Sequence, residues 1–300
     1  METIWKGVMP AVTTKFTADD LLDIKMFTHN IQAQLNAGVS GVVLGGTLGE
    51  ASTLSLQEKS TLVKSAVEIC NGKVPVILNI AEQSTKGAVQ AVKQAEEDGA
   101  SGLMVLPPMR YYATSRETVA YFSEIASNTN LPIMIYNNPV DYKIEITMEM
   151  FEELLKFSNI QAVKESTRDV TNVTRLINRF GNRLQILTGV DTIALESMLL
   201  GAHGWVAGLV CAFPLETVKL YQLATQGRIE EATQLYRWFM PLLELDITPQ
   251  LVQNIKLAEV ATGLGTEYVR APRLSLEGEA RSHVMKIIDE ALASRPFISM

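Results

Sequence analysis

Short apolar runs alternate with amphipathic segments along most of the chain. The runs are four to seven residues long and end in glycine, proline or polar residues, which predicts buried strands. The predicted strands are 8–14, 41–46, 75–80, 102–106, 131–136, 160–164, 184–187 and 204–209.

Helical periodicity fills the segments between these runs. The first helix is expected to begin near Asp20 or Asp23, since either side chain can cap it. Ser55 and Glu58 have the spacing of a capping box, which places the start of the second helix at Ser55. The predicted helices after the first are 55–70, 84–97, 115–127, one from 147, 169–179, 191–200 and 214–225.

Eight strand–helix pairs in about 225 residues, about 28 residues per pair, are typical of an α/β fold of the (β/α)8 TIM-barrel type. A doubly wound sheet is the alternative, but it usually has a glycine-rich loop after its first strand, and 15–17 is no such loop. Three more helical patterns follow, at 229–245, 249–262 and 278–292. We expect a catalytic barrel over 1–226 and a C-terminal helical region over 227–300 that packs on it.

Composition narrows the classes of function. The chain has 300 residues, is 47% hydrophobic and carries a net charge of -7, which argues against a nucleic-acid partner. It contains no apolar run of membrane-spanning length and no signal sequence, so we expect a cytoplasmic protein without a membrane partner. The two cysteines are isolated and the three histidines are scattered, so no metal site is expected.

Two neighbouring predicted strands deliver a tyrosine and a lysine near their carboxyl ends, where barrel enzymes have their active sites. These residues are Tyr136 and Lys164. A lysine in a buried strand loses hydration, which favours its neutral, nucleophilic form. Such a lysine can form a Schiff base with a ketone, and a nearby phenol can move the protons. A core tyrosine and a lysine ion-paired with Glu165 or Glu50 are the structural alternatives.

Other strand ends offer groups for binding. Gly46, Thr47 and Leu48 follow the second strand, and the Thr47 hydroxyl with the Leu48 amide suits a carboxylate. A plain glycine turn is the alternative there.

Gly189 at the end of the seventh strand and Val206 in the eighth are further candidates for substrate binding, and the small residues of 204–208 leave room for a ligand. Asp191, which also follows the seventh strand, is expected to cap the next helix.

The motifs Gly-Thr-x-Gly-Glu, Tyr-Asn-x-Pro, Val-Lys-Glu-Ser, Thr-Gly-x-Asp and Gly-x-x-x-Gly occur in this order across the chain. Together they resemble the dihydrodipicolinate synthase / N-acetylneuraminate lyase family of class I Schiff-base lyases. The resemblance implies a homotetrameric barrel enzyme without metal or organic cofactor. It also implies that Lys164 forms the imine, that Tyr136 handles protons, and that Thr47 with the Leu48 amide holds the carboxylate of a 2-oxo acid.

The chain departs from the synthases at positions that bear on the substrate. Synthases carry two threonines where this chain has Thr47 and Leu48, and Asp141 stands at their arginine for a second carboxylate. Their tyrosine from a neighbouring subunit falls near Met109 or Arg110, with Tyr111 and Tyr112 displaced in the same loop.

The combination of motifs is most similar to the branch that degrades hydroxyproline. That resemblance implies deamination and dehydration of Δ1-pyrroline-4-hydroxy-2-carboxylate to 2-oxoglutarate semialdehyde. A 2-keto-3-deoxy sugar-acid aldolase or dehydratase and a dihydrodipicolinate synthase are the alternatives. From other classes, a non-catalytic 2-oxo acid sensor is conceivable, and so is a phosphate-binding barrel enzyme, although no lysine or arginine reinforces a phosphate cup after the last two strands.

Overall fold

The computed structural model describes residues 3–298 and contains an eight-stranded parallel sheet that is rolled into a nearly closed barrel. The strands are β1 Gly7–Pro10, β2 Val42–Leu44, β3 Val76–Ile80, β4 Gly102–Val105, β5 Ile133–Asn137, β6 Ile160–Glu165, β7 Gln185–Thr188 and β8 Gly204–Ala207. The ladder runs β1-β8-β7-β6-β5-β4-β3-β2. Val12 N donates to Val43 O at 2.9 Å across the β1–β2 seam. The predicted TIM barrel with a C-terminal helical extension is confirmed.

Helices follow the strands in the order that the periodicity predicts. In the described residues they are α1 Ile24–Ala37, α2 Leu56–Cys70, α3 Thr85–Glu97, α4 Ser115–Ser127, α5 Pro139–Tyr142, α6 Met148–Leu154, α7 Thr171–Phe180, α8 Ala194–Leu199, α9 Pro214–Thr225, α10 Ile229–Leu243, α11 Leu251–Thr262 and α12 Gly278–Ala293. Asp23 caps α1, because its Oδ1 accepts from Met26 N at 2.9 Å. Ser55 and Glu58 form the predicted capping box of α2.

The ends of some elements differ from the predictions. β1 ends at Pro10, whose nitrogen cannot donate to the ladder, and only a single bridge at Ala11 continues it. β8 gives way to a helical turn at Leu209–Cys211. The short helix α5, directly after the Tyr-Asn-x-Pro motif, is not in the predicted set. These differences all lie at the carboxyl ends of strands, where the chain turns toward the mouth of the barrel.

Two apolar cores hold the fold together. One lies between the sheet and α1–α7, with fully buried side chains such as Phe122 and Phe151. The other fills the barrel interior and continues beneath the C-terminal helices, from Trp205 to Phe239 and Ile288. Burial of apolar surface is the main stabilising contribution here, at roughly 25 cal/mol per Å². Residues 229–293 therefore share a core with the barrel, whereas the boundary between 226 and 227 stays a prediction.

Buried ion pairs link α11 to the top of the barrel. Lys15 Nζ lies 2.7 Å from Glu259 Oε1, and both side chains are fully buried. Lys256 Nζ lies 2.5 Å from Glu50 Oε1, also without exposure. These pairs connect the loops after β1 and β2 with the C-terminal region. The turn after β2 is therefore fixed by its ion pair with α11.

Removing one member of the first pair is expected to destabilise the fold strongly. Glu259→Gln leaves the Lys15 ammonium buried without its carboxylate, which costs about 3–5 kcal/mol of the free energy of unfolding. Urea denaturation followed by circular dichroism measures the change. The double variant Lys15→Met with Glu259→Met should recover much of the loss, since no charge is then left unpaired. A Glu259→Gln protein as stable as the wild type would contradict the importance of this pair.

Candidate active site

Lys164 and Tyr136 lie side by side at the carboxyl end of the barrel. They are direct partners in the β5–β6 register, and the Lys164 Nζ stands 4.2 Å from the centroid of the Tyr136 ring. Both side chains are buried and line one cavity at the mouth of the barrel. The amine therefore lies over the face of the phenol ring, in the cavity that both residues line.

The structural alternative for Lys164, an ion pair with Glu165 or Glu50, is wrong. Glu50 pairs with Lys256. The Glu165 carboxylate instead accepts from Thr167 N at 2.8 Å and Asn172 Nδ2 at 2.9 Å. Burial lowers the pKa of Lys164, and the acidic groups Asp246, Tyr142, Asp191 and Asp141 only partly oppose that shift.

This direction of the Lys164 pKa predicts a pH dependence. The neutral amine is the nucleophile, so imine formation should fall about tenfold per pH unit below the pKa and level off above it. Because burial lowers the pKa, the midpoint should lie below the ordinary lysine value of about 10.4. Borohydride trapping of a pyruvate adduct at graded pH measures the midpoint. An ordinary or raised midpoint would contradict the environment described for Lys164.

Gly189, at the end of β7, makes the room that the lysine occupies. A Cβ built on Gly189 would lie 2.5 Å from Lys164 Cε and 2.6 Å from its Cγ, and 2.3 Å from Ser166 Oγ. These distances are shorter than any van der Waals contact, so a side chain at this position is incompatible with the present lysine conformation. The sequence predicted a ligand-facing role for Gly189, and the structure adds that it positions Lys164.

The turn after β2 carries the predicted carboxylate site. No backbone hydrogen bond from the N–H of Thr47 or Leu48 forms within residues 3–298, which leaves both amides open to an anion. Asn79 Nδ2 donates to Gly45 O at 2.9 Å and fixes the turn. The Thr47 hydroxyl is hydrogen bonded to the Tyr142 hydroxyl. The site is therefore more structured than a plain glycine turn.

The hydroxyl of Tyr136 is held from the adjoining loop. Asn138 Nδ2 donates to it at 3.3 Å and to Asp141 Oδ2 at 2.7 Å. The rings of Tyr136 and Tyr142 meet edge to face, with centroids 5.6 Å apart. Burial raises the pKa of Tyr136 to about 12, so the phenol is protonated at neutral pH and can donate a proton.

The predicted helix-capping role of Asp191 is wrong. Its carboxylate turns into the barrel, where it accepts from Trp205 Nε1 at 2.9 Å, Leu209 N at 2.9 Å and Gly208 N at 3.2 Å. A fully buried carboxylate needs such donors, and three converge on it here. Asp191 thus fixes the end of β8, including the wall that Val206 contributes to the cavity.

All seven residues predicted for the site line this one cavity. They are Gly46, Thr47, Leu48, Tyr136, Lys164, Gly189 and Val206. Sequence reasoning missed Asp246, which enters the same cavity from the helical turn Glu244–Ile247 after α10. A signal existed, because Asp246 stands three and four residues after the buried Leu243 and Leu242, on the side of the helix that faces the core.

Metal-ligand clusters and membrane-spanning helices are both absent from the part of the chain that the structure describes. Within residues 3–298, no three or more histidine, cysteine, aspartate or glutamate side chains converge in a way that could hold a metal ion. No helix in the described part of the chain has the length and apolarity needed to cross a lipid bilayer.

Comparison with known proteins identifies the family. The chain matches the Dihydrodipicolinate synthetase family over residues 4–291. It is 31% identical over 277 residues to the 4-hydroxy-tetrahydrodipicolinate synthase of Methanococcoides burtonii, which covers 92% of this chain and 94% of the relative. It is 32% identical over 276 residues to that of Exiguobacterium sibiricum, covering 91% and 92%.

A solved structure agrees. The chloride-inhibited dihydrodipicolinate synthase of Acinetobacter baumannii, complexed with pyruvate, superposes with a TM-score of 0.91 and 25% identity, covering 96% of this chain and 99% of that one. The match of sequence and fold over nearly the whole length shows that this chain belongs to the dihydrodipicolinate synthetase family and is a class I lyase of it.

Proposed function

We propose that Lys164 forms a Schiff base with a small 2-oxo acid or cyclic imine. The observation that carries this proposal is a buried lysine that pairs with no carboxylate of the described residues and lies beside a protonated phenol, in a cavity that also exposes two free backbone amides. The amides with Thr47 hold the substrate carboxylate, which brings C2 against the lysine and fixes the orientation of attack. The related Acinetobacter synthase binds pyruvate, which supports this class of ligand.

The chemistry follows from the imine. Once Lys164 has attacked C2, the iminium withdraws electrons, so a C3 proton or the C3–C4 bond becomes labile. Tyr136 donates and accepts the protons that imine formation and breakdown require. Loss of a 4-hydroxyl or aldol cleavage then depends on what the substrate carries at C4.

For the substrate, we propose Δ1-pyrroline-4-hydroxy-2-carboxylate, which is converted with one water to 2-oxoglutarate semialdehyde and ammonia. Support comes from Asp141, which lines the cavity at the position where the synthases carry an arginine for a second carboxylate. The arginine that does line the cavity, Arg168, comes from a different segment, the loop between β6 and α7. A cyclic imine with a single carboxylate, whose ring is opened by Lys164, does not need an arginine to hold a second carboxylate. The motif combination in the sequence points to the same branch.

A dihydrodipicolinate synthase is the second candidate, because relatives that match over more than 90% of the chain carry that name. The 2-keto-3-deoxy sugar acids fit the same imine chemistry. A 2-oxo acid sensor would bind such ligands without turnover.

A coupled ammonia assay with the hydroxypyrroline tests the proposal, and a synthase assay with pyruvate and aspartate semialdehyde runs in parallel. Ammonia release that requires Lys164 is expected. Turnover only in the synthase assay, or pyruvate from a 2-keto-3-deoxy acid with no ammonia from the pyrroline, would overturn the substrate assignment. Binding of the whole panel without turnover would favour the sensor.

We further propose a cytoplasmic homotetramer, on the resemblance to the family. Tyr111 and Tyr112 in the loop after β4 are exposed in the single chain, 55% and 80% respectively, and are large enough to bury substantial area against a second copy. Light scattering after size exclusion measures the mass. A monomer at micromolar concentration would contradict the tetramer.

A further inference from the structure

Asp246 is a partly buried acid that the proposed mechanism has not yet used. Its Oδ1 is inaccessible to solvent and has no hydrogen-bond partner among the described residues. Buried polar atoms in native proteins are nearly always paired, so an unpaired one at the wall of a cavity points to a ligand.

Its position is set by a glycine. A Cβ on Gly208 would lie 2.3 Å from Asp246 Oδ1, so the carboxyl group reaches the cavity only because position 208 has no side chain. Asp246 lines the cavity together with its neighbours Ile247 and Leu251, and the turn that offers amides to the substrate carboxylate lines the same cavity. A substrate anchored at that turn and bonded to Lys164 is therefore enclosed in the cavity that the Asp246 carboxyl group also lines.

The other aspartates near Lys164 have fixed partners. The Asp191 carboxylate is occupied by three donors, and Asp141 accepts from Asn138 at the exposed rim. Burial raises the pKa of Asp246 well above its ordinary range, and Asp191 adds to the shift. Of these three aspartates, Asp246 is thus the one whose Oδ1 is inaccessible to solvent and has no partner among the described residues, so it is free to exchange a proton with a ligand.

We propose that Asp246 is the catalytic acid that protonates the hydroxyl leaving C4 of a substrate bound to Lys164. The inference rests on the proposed function. After a C3 proton has been removed, the enamine electron pair forms the C3–C4 double bond and the C4–O bond breaks. The oxygen keeps the pair of that bond, takes the Asp246 proton and departs as water. Asp246 is left as a carboxylate and is reprotonated from solvent, so no oxidant or reductant is needed.

The test separates the late step from the early ones. Asp246→Asn is compared with wild type in three assays: ammonia release from the hydroxypyrroline, borohydride trapping with pyruvate, and exchange of the pyruvate C3 hydrogens in D2O. Pyruvate has no leaving hydroxyl. We expect turnover to fall about 10²–10⁴-fold, as for loss of a general acid. Trapping and exchange should stay at the wild-type level when both proteins are compared above their Lys164 midpoints, because Asp246 also acts on the pKa of Lys164.

Two more variants keep the outcome interpretable. Glu244→Gln removes an exposed charge from the same turn and should leave all three assays unchanged. Gly208→Ala should reproduce the Asp246→Asn pattern, since its methyl group displaces the carboxyl. Wild-type turnover in Asp246→Asn, or a parallel loss of trapping, exchange and turnover, would overturn the role of Asp246. Failure of the proposed function looks different, because the wild type itself would then release no ammonia.

Discussion

Lys164→Ala is expected to lower turnover by about 10⁴-fold or more, as removal of a covalent nucleophile does in other enzymes. The loss should come from chemistry and not from unfolding. A buried amine that pairs with no carboxylate of the described residues is a cost to the fold, so its removal should leave the melting temperature unchanged or higher. Turnover and thermal denaturation on the same preparation measure both effects.

Lys143→Ala is the matched control for this variant. Lys143 is exposed and follows α5, close to the site in the chain but outside the cavity lining. Its replacement should leave turnover near the wild-type level. A Lys164→Ala protein with substantial turnover would mean that another group carries the reaction.

Gly189→Ala is expected to lower turnover by about 10²-fold, the usual consequence of displacing a catalytic group by about 1 Å. The added Cβ would overlap Lys164 Cγ and Cε, and the flexible lysine can yield only by moving its amine. Stability should change less than turnover does, because the three atoms that overlap belong to side chains and not to the backbone. Borohydride trapping and thermal denaturation measure the two effects.

The overlap with Ser166 Oγ is a separate cause that a second variant removes. Gly189→Ala with Ser166→Ala relieves the serine contact and leaves the lysine contact. Turnover of the double variant should therefore be about 10²-fold below that of Ser166→Ala alone. This is the same ratio as that expected between Gly189→Ala and wild type. Recovery in the double variant would show that the serine, and not the lysine, is what the glycine accommodates.

Much of the site can be predicted from the sequence, because the topology of the barrel determines which residues come together. Parallel strands place their carboxyl ends at one mouth, so residues as distant in sequence as Thr47 and Lys164 are bound to meet once the eight strand–helix pairs are recognised. The seven predicted residues converge for this reason. Capping at Asp23 and Ser55 is local chemistry and is equally readable.

Asp191 and Asp246 show where such reasoning stops. An aspartate before a helix has the same local sequence pattern whether it caps the helix or turns inward. Asp191 turns inward because the indole of Trp205 and the amides after β8 donate to its carboxylate. Asp246 reaches the cavity from outside the strand–helix repeat, through the turn after α10. Its placement depends on how the C-terminal helices pack, which periodicity alone does not specify.

The most direct test of Schiff-base chemistry at Lys164 is borohydride reduction of the wild-type protein with pyruvate and with the hydroxypyrroline, followed by peptide mapping. We expect a reduced adduct on Lys164, formed with both ligands and lost in Lys164→Ala. Turnover without an adduct at Lys164, or an adduct on a different lysine, would contradict this chemistry.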